Sequence, residues 1–400
     1  MRTATLRENC CGCTACEYVC PVNAITMADD EKGFRVPEID TDKCTGCELC
    51  AKSCGFKARL KDKLMSRDGV RVFAVKKKSG REESQSGGAF AAFAEYALKN
   101  GYVVYGVVCE EDSAFYFRTE STEGLQRMRG SKYVQADVRD IFGLVMDDIK
   151  NGRHVMFSGT PCHIDGLYSV LEAKKIPFEG LLVTVDLVCH GTVSPGVFRD
   201  YYAWLKKKFQ SIYSFNFRYK MLRGGGAWHS HMESFLSKKF FGTLRYFSSN
   251  YTNIFYSHKC LRESCYSCPY ASINRRADIT IGDFWGIEKL DPAFDDNIGV
   301  SLVILNSEEG RRIFRETEGA LDFKEFTKEQ CLQPNLQHPT ERPVDTDSFW
   351  EDYSRDGFES TVKRHCGFNA GNFWSNTLLR RAVRKIRRLI HTLLKGLRRS

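Results

Sequence analysis

Eight cysteines near the N-terminus have the spacing of metal ligands. Cys10, Cys13, Cys16 and Cys20 read C-x2-C-x2-C-x3-C, followed by Pro21. Cys44, Cys47, Cys50 and Cys54 repeat the pattern, followed by Gly55. Three thiolates in a tight turn hold three corners of an iron–sulfur cubane, and the fourth cysteine of the run reaches the other cubane. The spacing therefore assigns Cys10, Cys13, Cys16 and Cys54 to one [4Fe–4S] cluster, and Cys44, Cys47, Cys50 and Cys20 to a second. Zinc usually takes four ligands as two CxxC pairs, which this doubled run fits poorly. Cys11 lies outside the pattern and reads as a bystander thiol.

A third group, Cys260, Cys265 and Cys268, has the spacing C-x4-C-x2-C-P. It suits a third cluster, with Cys162 or Cys189 as fourth ligand. Zinc on three cysteines and His258, or buried thiols without a metal, are the alternatives. Cys109, Cys331 and Cys366 are isolated and read as inert.

The elements that must position these residues follow from pattern. Residues 1–62 read as a bacterial-type two-cluster ferredoxin domain, with a hairpin turning at Gly33 between the two runs. Phe56 to Met65 reads as a short helix and Val70 to Val75 as a strand. The loop Ser84 to Gly88 opens a helix at Ala89, which makes its backbone N–H groups a candidate anion site; a plain helix cap is the other reading. Strands are expected over Tyr102 to Val108, with Ala114 to Arg118 as partner, and over His154 to Phe157, Leu181 to Val188, Ala277 to Ile281 and Val300 to Asn306. Helices are expected over Ile141 to Lys150 and His163 to Ala173. The latter lies between two apolar strands, which is a βαβ crossover and implies parallel pairing. Ser158 to Cys162 and Cys189 to Gly191 then sit at strand carboxyl ends, where open α/β sheets bind ligands. Asp283, beside Phe284 and Trp285, is placed to face a planar cofactor or to cap the next turn. No G-x-G-x-x-G follows a strand, and Gly224-Gly225-Gly226 reads as a flexible loop, so a conventional dinucleotide fingerprint is unsupported.

The chain has 400 residues, 42% hydrophobic and 27% charged, which is ordinary globular composition of two or three domains. Met1 to Asn9 lacks the apolar core of a secretory signal, and the expected location is cytoplasmic. Seventeen clustered cysteines in such a chain favour an intracellular metal protein over a disulfide scaffold. The net charge of +9 sits in residues 376–400, which hold nine Lys/Arg and no Asp/Glu; without them basic and acidic residues balance at fifty each. A neutral body argues against nucleic acid. The tail places Leu379, Val383, Ile386, Ile390, Leu393 and Leu397 opposite its cations, the pattern of a basic amphipathic helix on an anionic lipid surface. That implies peripheral contact with the inner face of a membrane; docking on the protein's own body or on an acidic partner is the other reading.

Five collinear blocks resemble the beta-subunit family of coenzyme F-420 hydrogenases and dehydrogenases. They are Ser84-x-Ser86-Gly87-Gly88-Ala89, Arg129 to Gln135, Phe157 to Cys162, Leu187 to Gly191 and Asp278 to Phe284. The resemblance implies an α/β flavin-binding part with a mixed or parallel sheet, and domains over 63–155 and 156–330. An irregular extension over 331–375 and the helix 376–400 follow. It also implies FAD alongside the iron–sulfur clusters, and a redox partner protein or a reduced two-electron carrier such as deazaflavin. Ser86, Gly87 and Gly88 would lie near the FAD phosphates. Ser158, Gly159, Thr160 and Asp283 would complete the cofactor site, and Cys162, His190 and Lys132 would serve catalysis. The expected function is an iron–sulfur flavoprotein oxidoreductase. The alternative is a non-catalytic electron-transfer adaptor for a partner enzyme, in surface-polysaccharide metabolism for example.

Overall fold

A turn at Gly33 (φ +79°) joins two short strands, because Asp30 Oδ1 accepts from the backbone N–H of both Lys32 and Phe34. The strands are β1 (Ile25–Asp29) and β2 (Arg35–Ile39), antiparallel from Ile25↔Ile39 to Asp29↔Arg35. Short helices flank this hairpin: α1 (Ala15–Val19), α2 (Leu49–Lys52) and α3 (Gly55–Lys61). The computed structural model describes residues 7–62, 64, 69–220, 228, 231–239 and 242–375. The expected basic helix 376–400 and the loop Gly224-Gly225-Gly226 lie outside the described residues.

The body is built on one eight-stranded mixed sheet, in the order β13-β3-β12-β11-β7-β6-β4-β5. Its strands are β3 (Arg71–Lys77), β4 (Val103–Glu110), β5 (Ser113–Thr119), β6 (Val155–Gly159), β7 (Leu182–Leu187), β11 (Ile279–Asp283), β12 (Ser301–Leu305) and β13 (Leu321–Phe326). The four central strands β4, β6, β7 and β11 are parallel, and antiparallel pairs extend the sheet on both sides. β6 is buried throughout and β7 in all but its last residue, the continuous apolar run of a strand covered on both faces. Those covers are helices α4 (Ala89–Lys99), α5 (Thr122–Met128), α6 (Ile141–Lys150) and α7 (Pro161–Ala173), the last being the β6–β7 crossover.

The stretch after Gly191, for which sequence patterning offered no elements before residue 277, forms a second unit. Helix α8 (Pro195–Phe209) buries Val197, Phe198, Tyr201, Tyr202, Leu205 and Phe209 on one stripe. It packs on a four-stranded sheet of order β14-β10-β9-β8, made of β8 (Ile212–Asn216), β9 (Glu233–Lys239), β10 (Gly242–Ser248) and β14 (Trp374–Ser375). Helices α9 (Asn250–Tyr256) and, after the second unit, α10 (Ile287–Leu290), α11 (Glu308–Thr317) and α12 (Thr346–His365) complete the chain. No helix among the described residues is long and apolar enough to cross a membrane.

One charge is held inside the main sheet. Asp186 on β7 is 1% exposed and faces Arg275 at 3.5 Å. Burial nevertheless pushes its carboxyl up to about 6. The folded chain therefore keeps this proton to higher pH than the unfolded chain does. Stability from this group is present below the ordinary value of 3.8 and falls as pH rises from there to about 6. Asp186→Asn is expected to remove about 1 kcal/mol of stability change between pH 5 and pH 7, read from urea midpoints.

Candidate functional site

The carboxyl ends of β4, β6, β7 and β11 open into a cavity of about 320 Å³. The five sequence blocks meet there. The cavity wall includes Ser84 to Ser86, Arg129 to Val134, Ser158 to Thr160, Leu187 to Thr192 and Ile281 to Asp283. The loop before α4 is pressed against the sheet. Ser86 Oγ donates to Val300 O at 2.9 Å, and Gly87 O accepts from Lys77 N. A methyl group on Gly87 would lie 2.1 Å from Val75 O and 2.4 Å from Ser301 N, so no side chain fits. Gly88 (φ +88°) precedes α4 and has no side chain to cap it, while Ala89 N donates to Ser301 Oγ at 3.4 Å. The N-terminus of α4 therefore lies beside the cavity with Gly88 and Ala89 on its wall.

The remaining predicted residues are placed as follows. Ser158 is buried at the end of β6, and Gly159 is needed because a methyl there would lie 2.2 Å from the Tyr116 hydroxyl. Thr160 precedes the first residue of α7, Pro161, and its hydroxyl lies 3.4 Å from Cys162 Sγ. Lys132 lines the cavity, but its ammonium donates to the carbonyls of Met128 (2.6 Å) and Arg129 (3.0 Å) at the end of α5. Burial pulls its pKa down to about 7, and Cys109 acts against that shift. Asp283 Oδ2 accepts from Arg218 Nη1 at 2.5 Å, and Arg218 is 2% exposed. Asp283 is therefore an ion-pair partner and not a turn cap. His190 Nε2 lies 2.6 Å from His258 Nε2, so one ring donates and the other accepts. Burial and the facing His258 ring draw His190 down to about 4. Sequence reasoning missed Arg218, His258 as the partner of His190, and Gln333, all of which reach this region from the second unit or beyond.

The cavity also holds polar atoms with nothing to bind. Gln85 Oε1, Arg129 Nε, Arg218 Nε and Gln333 Oε1 are buried without a hydrogen-bond partner among the described residues, and all four residues line it. Orphaned buried donors and acceptors in a roomy site fit a polar ligand that supplies the partners.

Behind the cavity, four cysteines converge. Cys162, Cys189, Cys265 and Cys268 line a second, smaller cavity together with Cys11 and Arg262. Burial pushes Cys189 up to about 12 and raises Cys265 and Cys268, and the neighbouring thiols add to each shift. Cys162 is instead drawn down, with Cys11, Thr160 and Arg262 among the causes, so three thiols here resist ionisation, which a bound cation would reverse. Gly191 N donates to Cys189 Sγ at 3.4 Å, the backbone bond a ligated thiolate accepts. Cys260, grouped with Cys265 and Cys268 by its spacing, is not brought to this place. It is fully buried in the aromatic core of the second unit, donates to Ile254 O at 3.6 Å and neighbours Cys366.

In the N-terminal domain, Cys10, Cys13, Cys16 and Cys54 are mutual neighbours, and Cys50 neighbours Cys47 and Cys20. Gly12 N donates to Cys10 Sγ at 3.3 Å and Ala24 N to Cys20 Sγ at 3.2 Å. The first crossed group of the spacing argument thus stands together, and in the second Cys50 lies beside Cys20 and Cys47.

This fold, with a ferredoxin-like front and a cavity at the parallel strand ends, agrees with the comparisons. Residues 72–142 match the N-terminal part of the coenzyme F420 hydrogenase/dehydrogenase beta subunit, and residues 152–329 match its C-terminal part. Residues 9–58 match the 4Fe-4S dicluster domain. The two beta-subunit matches together span more than half of the chain, which belongs to the coenzyme F420 hydrogenase/dehydrogenase beta-subunit family and carries a 4Fe-4S dicluster domain in front.

Among curated proteins, the chain is similar to one subunit of the F(420)H(2) dehydrogenase of Methanosarcina mazei, 24% identical over 201 residues, covering 45% of this chain and 53% of that protein. It is also similar to the iron-sulfur subunit of a putative dimethyl sulfoxide reductase of Halobacterium salinarum, 44% identical over 50 residues, 12% of this chain and 18% of that one. The match therefore spans about half the length of the first relative and less of the second. A solved structure of the F420-reducing [NiFe] hydrogenase complex from Methanosarcina barkeri aligns with a TM-score of 0.42 at 15% identity, covering 78% of this chain and 95% of that chain.

Proposed function

We propose that this chain is an iron–sulfur flavoprotein oxidoreductase that exchanges electrons between a two-electron carrier or substrate and a redox partner protein. The carrier class is a deazaflavin of the coenzyme F-420 type or a similar hydride donor. The observation that carries this reading is the adjacency of three features: the cavity at the strand ends, the four-cysteine group behind it, and the Cys10 group beyond that.

FAD in the cavity would supply the exchange between hydride and single electrons, and [4Fe–4S] clusters would carry those electrons one at a time. The chain's own residues do the rest. The start of α4, at Gly88, receives the phosphates, and Gly87 lets the loop before it press onto the sheet. Gln85, Gln333 and the Arg218–Asp283 pair orient the polar edge of a planar ring. The His190–His258 pair holds one Nε2 proton between two rings at the cavity wall. Cys10, Cys13, Cys16 and Cys54 hold one cluster; Cys20, Cys44, Cys47 and Cys50 hold a second. Cys162, Cys189, Cys265 and Cys268 hold a third. The relative named as a subunit of a dehydrogenase supports the need for a partner protein. The basic segment 376–400 supports a cytoplasmic protein touching the inner face of a membrane.

Cofactor stoichiometry after anaerobic purification tests the whole reading. About twelve irons and one flavin per chain are expected. Clusters without flavin, even after FAD is supplied, would instead make the chain an electron-transfer adaptor.

A further inference from the structure

We propose that helix α7 is the electron-transfer junction of this molecule, and that Gly166 and the non-ligand Cys11 set the gap between the Cys10/Cys13/Cys16/Cys54 group and the Cys162/Cys189/Cys265/Cys268 group. This rests on the reading above, in which both groups hold iron–sulfur clusters.

Helix α7 runs from Pro161 to Ala173 and touches both groups with one face. Cys162, in its first turn, belongs to the inner group. Gly166, one turn later, faces the outer one. A methyl at Gly166 would lie 2.8 Å from Cys13 Cβ and 2.9 Å from Cys13 Sγ, closer than side-chain carbons approach. Glycine costs stability inside a helix, and here no other residue leaves room for the ligand sulfur. The neighbouring turns repeat the arrangement. A methyl at Gly55, the first residue of α3, would lie 2.7 Å from Asp165 Oδ2 and 2.9 Å from Ser169 Oγ. α1 and α3 both pack on α7.

Cys11 fills the space between the groups. It is 6% exposed and packs with Phe56 and Tyr270 against Cys13, Cys54, Cys162 and Cys268. Its side chain thus lies against both Cys13 and Cys162, one ligand from each group. The backbone on either side is clamped by the body. Gln135 Nε2 donates to Cys11 O at 2.9 Å, and Arg262 Nε donates to Cys10 O at 2.6 Å. Arg262 Nη1 ties the clamp together by donating to Gln135 Oε1 at 2.8 Å. A buried sulfur chain Cys13–Cys11–Cys162, held from two sides, is a short path for a single electron. The transfer oxidises one group and reduces the other, breaks no bond and moves no proton.

The test uses the full-length holoprotein, purified anaerobically and reduced with dithionite, as wild type, Gly166→Ala, Cys11→Ala and Gly143→Ala. Gly143 is a helical control whose methyl would meet Tyr18 at an ordinary 3.6 Å. Iron content, the spin–spin splitting in the electron paramagnetic resonance spectrum, and the rate of internal electron transfer are read. Expected are about twelve irons in all four proteins. Gly166→Ala and Cys11→Ala should show a weakened splitting and about tenfold slower transfer, the scale of losing a contact to a metal ligand. Gly143→Ala should match wild type. Full iron with unchanged splitting and rate in Cys11→Ala and Gly166→Ala overturns the junction. If Gly166→Ala does not fold, Cys11→Ala decides alone. A wild type with about eight irons overturns the third-cluster reading itself, and the junction with it.

Discussion

Cys189→Ala is expected to lose about four of about twelve irons per chain, while Cys260→Ala keeps them all. The contrast is large because it is stoichiometric. Cys189 stands at the end of β7 with its sulfur facing the Cys162, Cys265 and Cys268 thiols, and burial pushes it up to about 12. Without a cation such a group stays protonated; a cluster holds it as thiolate and needs all four ligands. Cys260 shares the spacing of Cys265 and Cys268 but points into the Tyr251, Phe255 and Phe198 core, where its thiol already donates to Ile254 O. Its loss should appear as a packing defect of roughly 1 kcal/mol and not as missing iron. Iron and sulfide analysis of the two variants separates these outcomes. Equal iron loss in both variants would return Cys260 to the ligand set.

Asp165→Ala is expected to destabilise the chain by about 3–5 kcal/mol, the cost of removing one partner of a buried ion pair. The Asp165 side chain is completely buried on α7. It accepts from Arg276 Nη1 and from the Tyr270 hydroxyl at 2.5 Å each, and it pairs with Arg59 Nε at 3.4 Å. Arg59 belongs to α3 of the N-terminal domain, and Arg276 to the strand approach of the body. One carboxylate therefore ties the ferredoxin-like domain to the sheet. Its removal leaves the Tyr270 phenol without its acceptor and takes the buried anion from Arg59 and Arg276, of which Arg276 keeps Glu172. The check is a urea midpoint, with limited proteolysis to show whether the N-terminal domain becomes separable. Asp165→Asn, which keeps one acceptor oxygen, should lose less. A midpoint unchanged in Asp165→Ala would mean that the other contacts, among them the Gln135 and Arg262 clamp on Cys11 and Cys10, hold the domains together without it.

The elements that position the site were largely legible. The hairpin around Gly33, the strand–helix–strand unit over 155–187 and the helix opening at Ala89 all follow from local pattern, and each recurs in the structure within a few residues. The stretch from Pro195 to Tyr256 was not read, although α8 has a clear apolar stripe. Its strands mix Phe and Tyr with Ser and Lys, so neither face reads as apolar by alternation alone. Their core forms only when α8, β8 to β10 and residues 349–373 close on one another.

The sequence by itself determined the iron–sulfur character of the N-terminal domain, because ligands for one turn of chain must be neighbours in sequence. It also determined the α/β body, because hydrophobic periodicity is a local property of strands and helices. Tertiary structure alone decided which distant cysteines meet. Cys162, Cys189, Cys265 and Cys268 come from β6–α7, the end of β7 and a later loop, and they converge because parallel strands deliver their carboxyl ends to one edge. It also moved Cys260 into an aromatic core and set Cys11 between two groups. Neither outcome is written in spacing. Both follow from long-range packing: the second unit closes around Cys260, and the ferredoxin-like domain docks on α7 at Cys11.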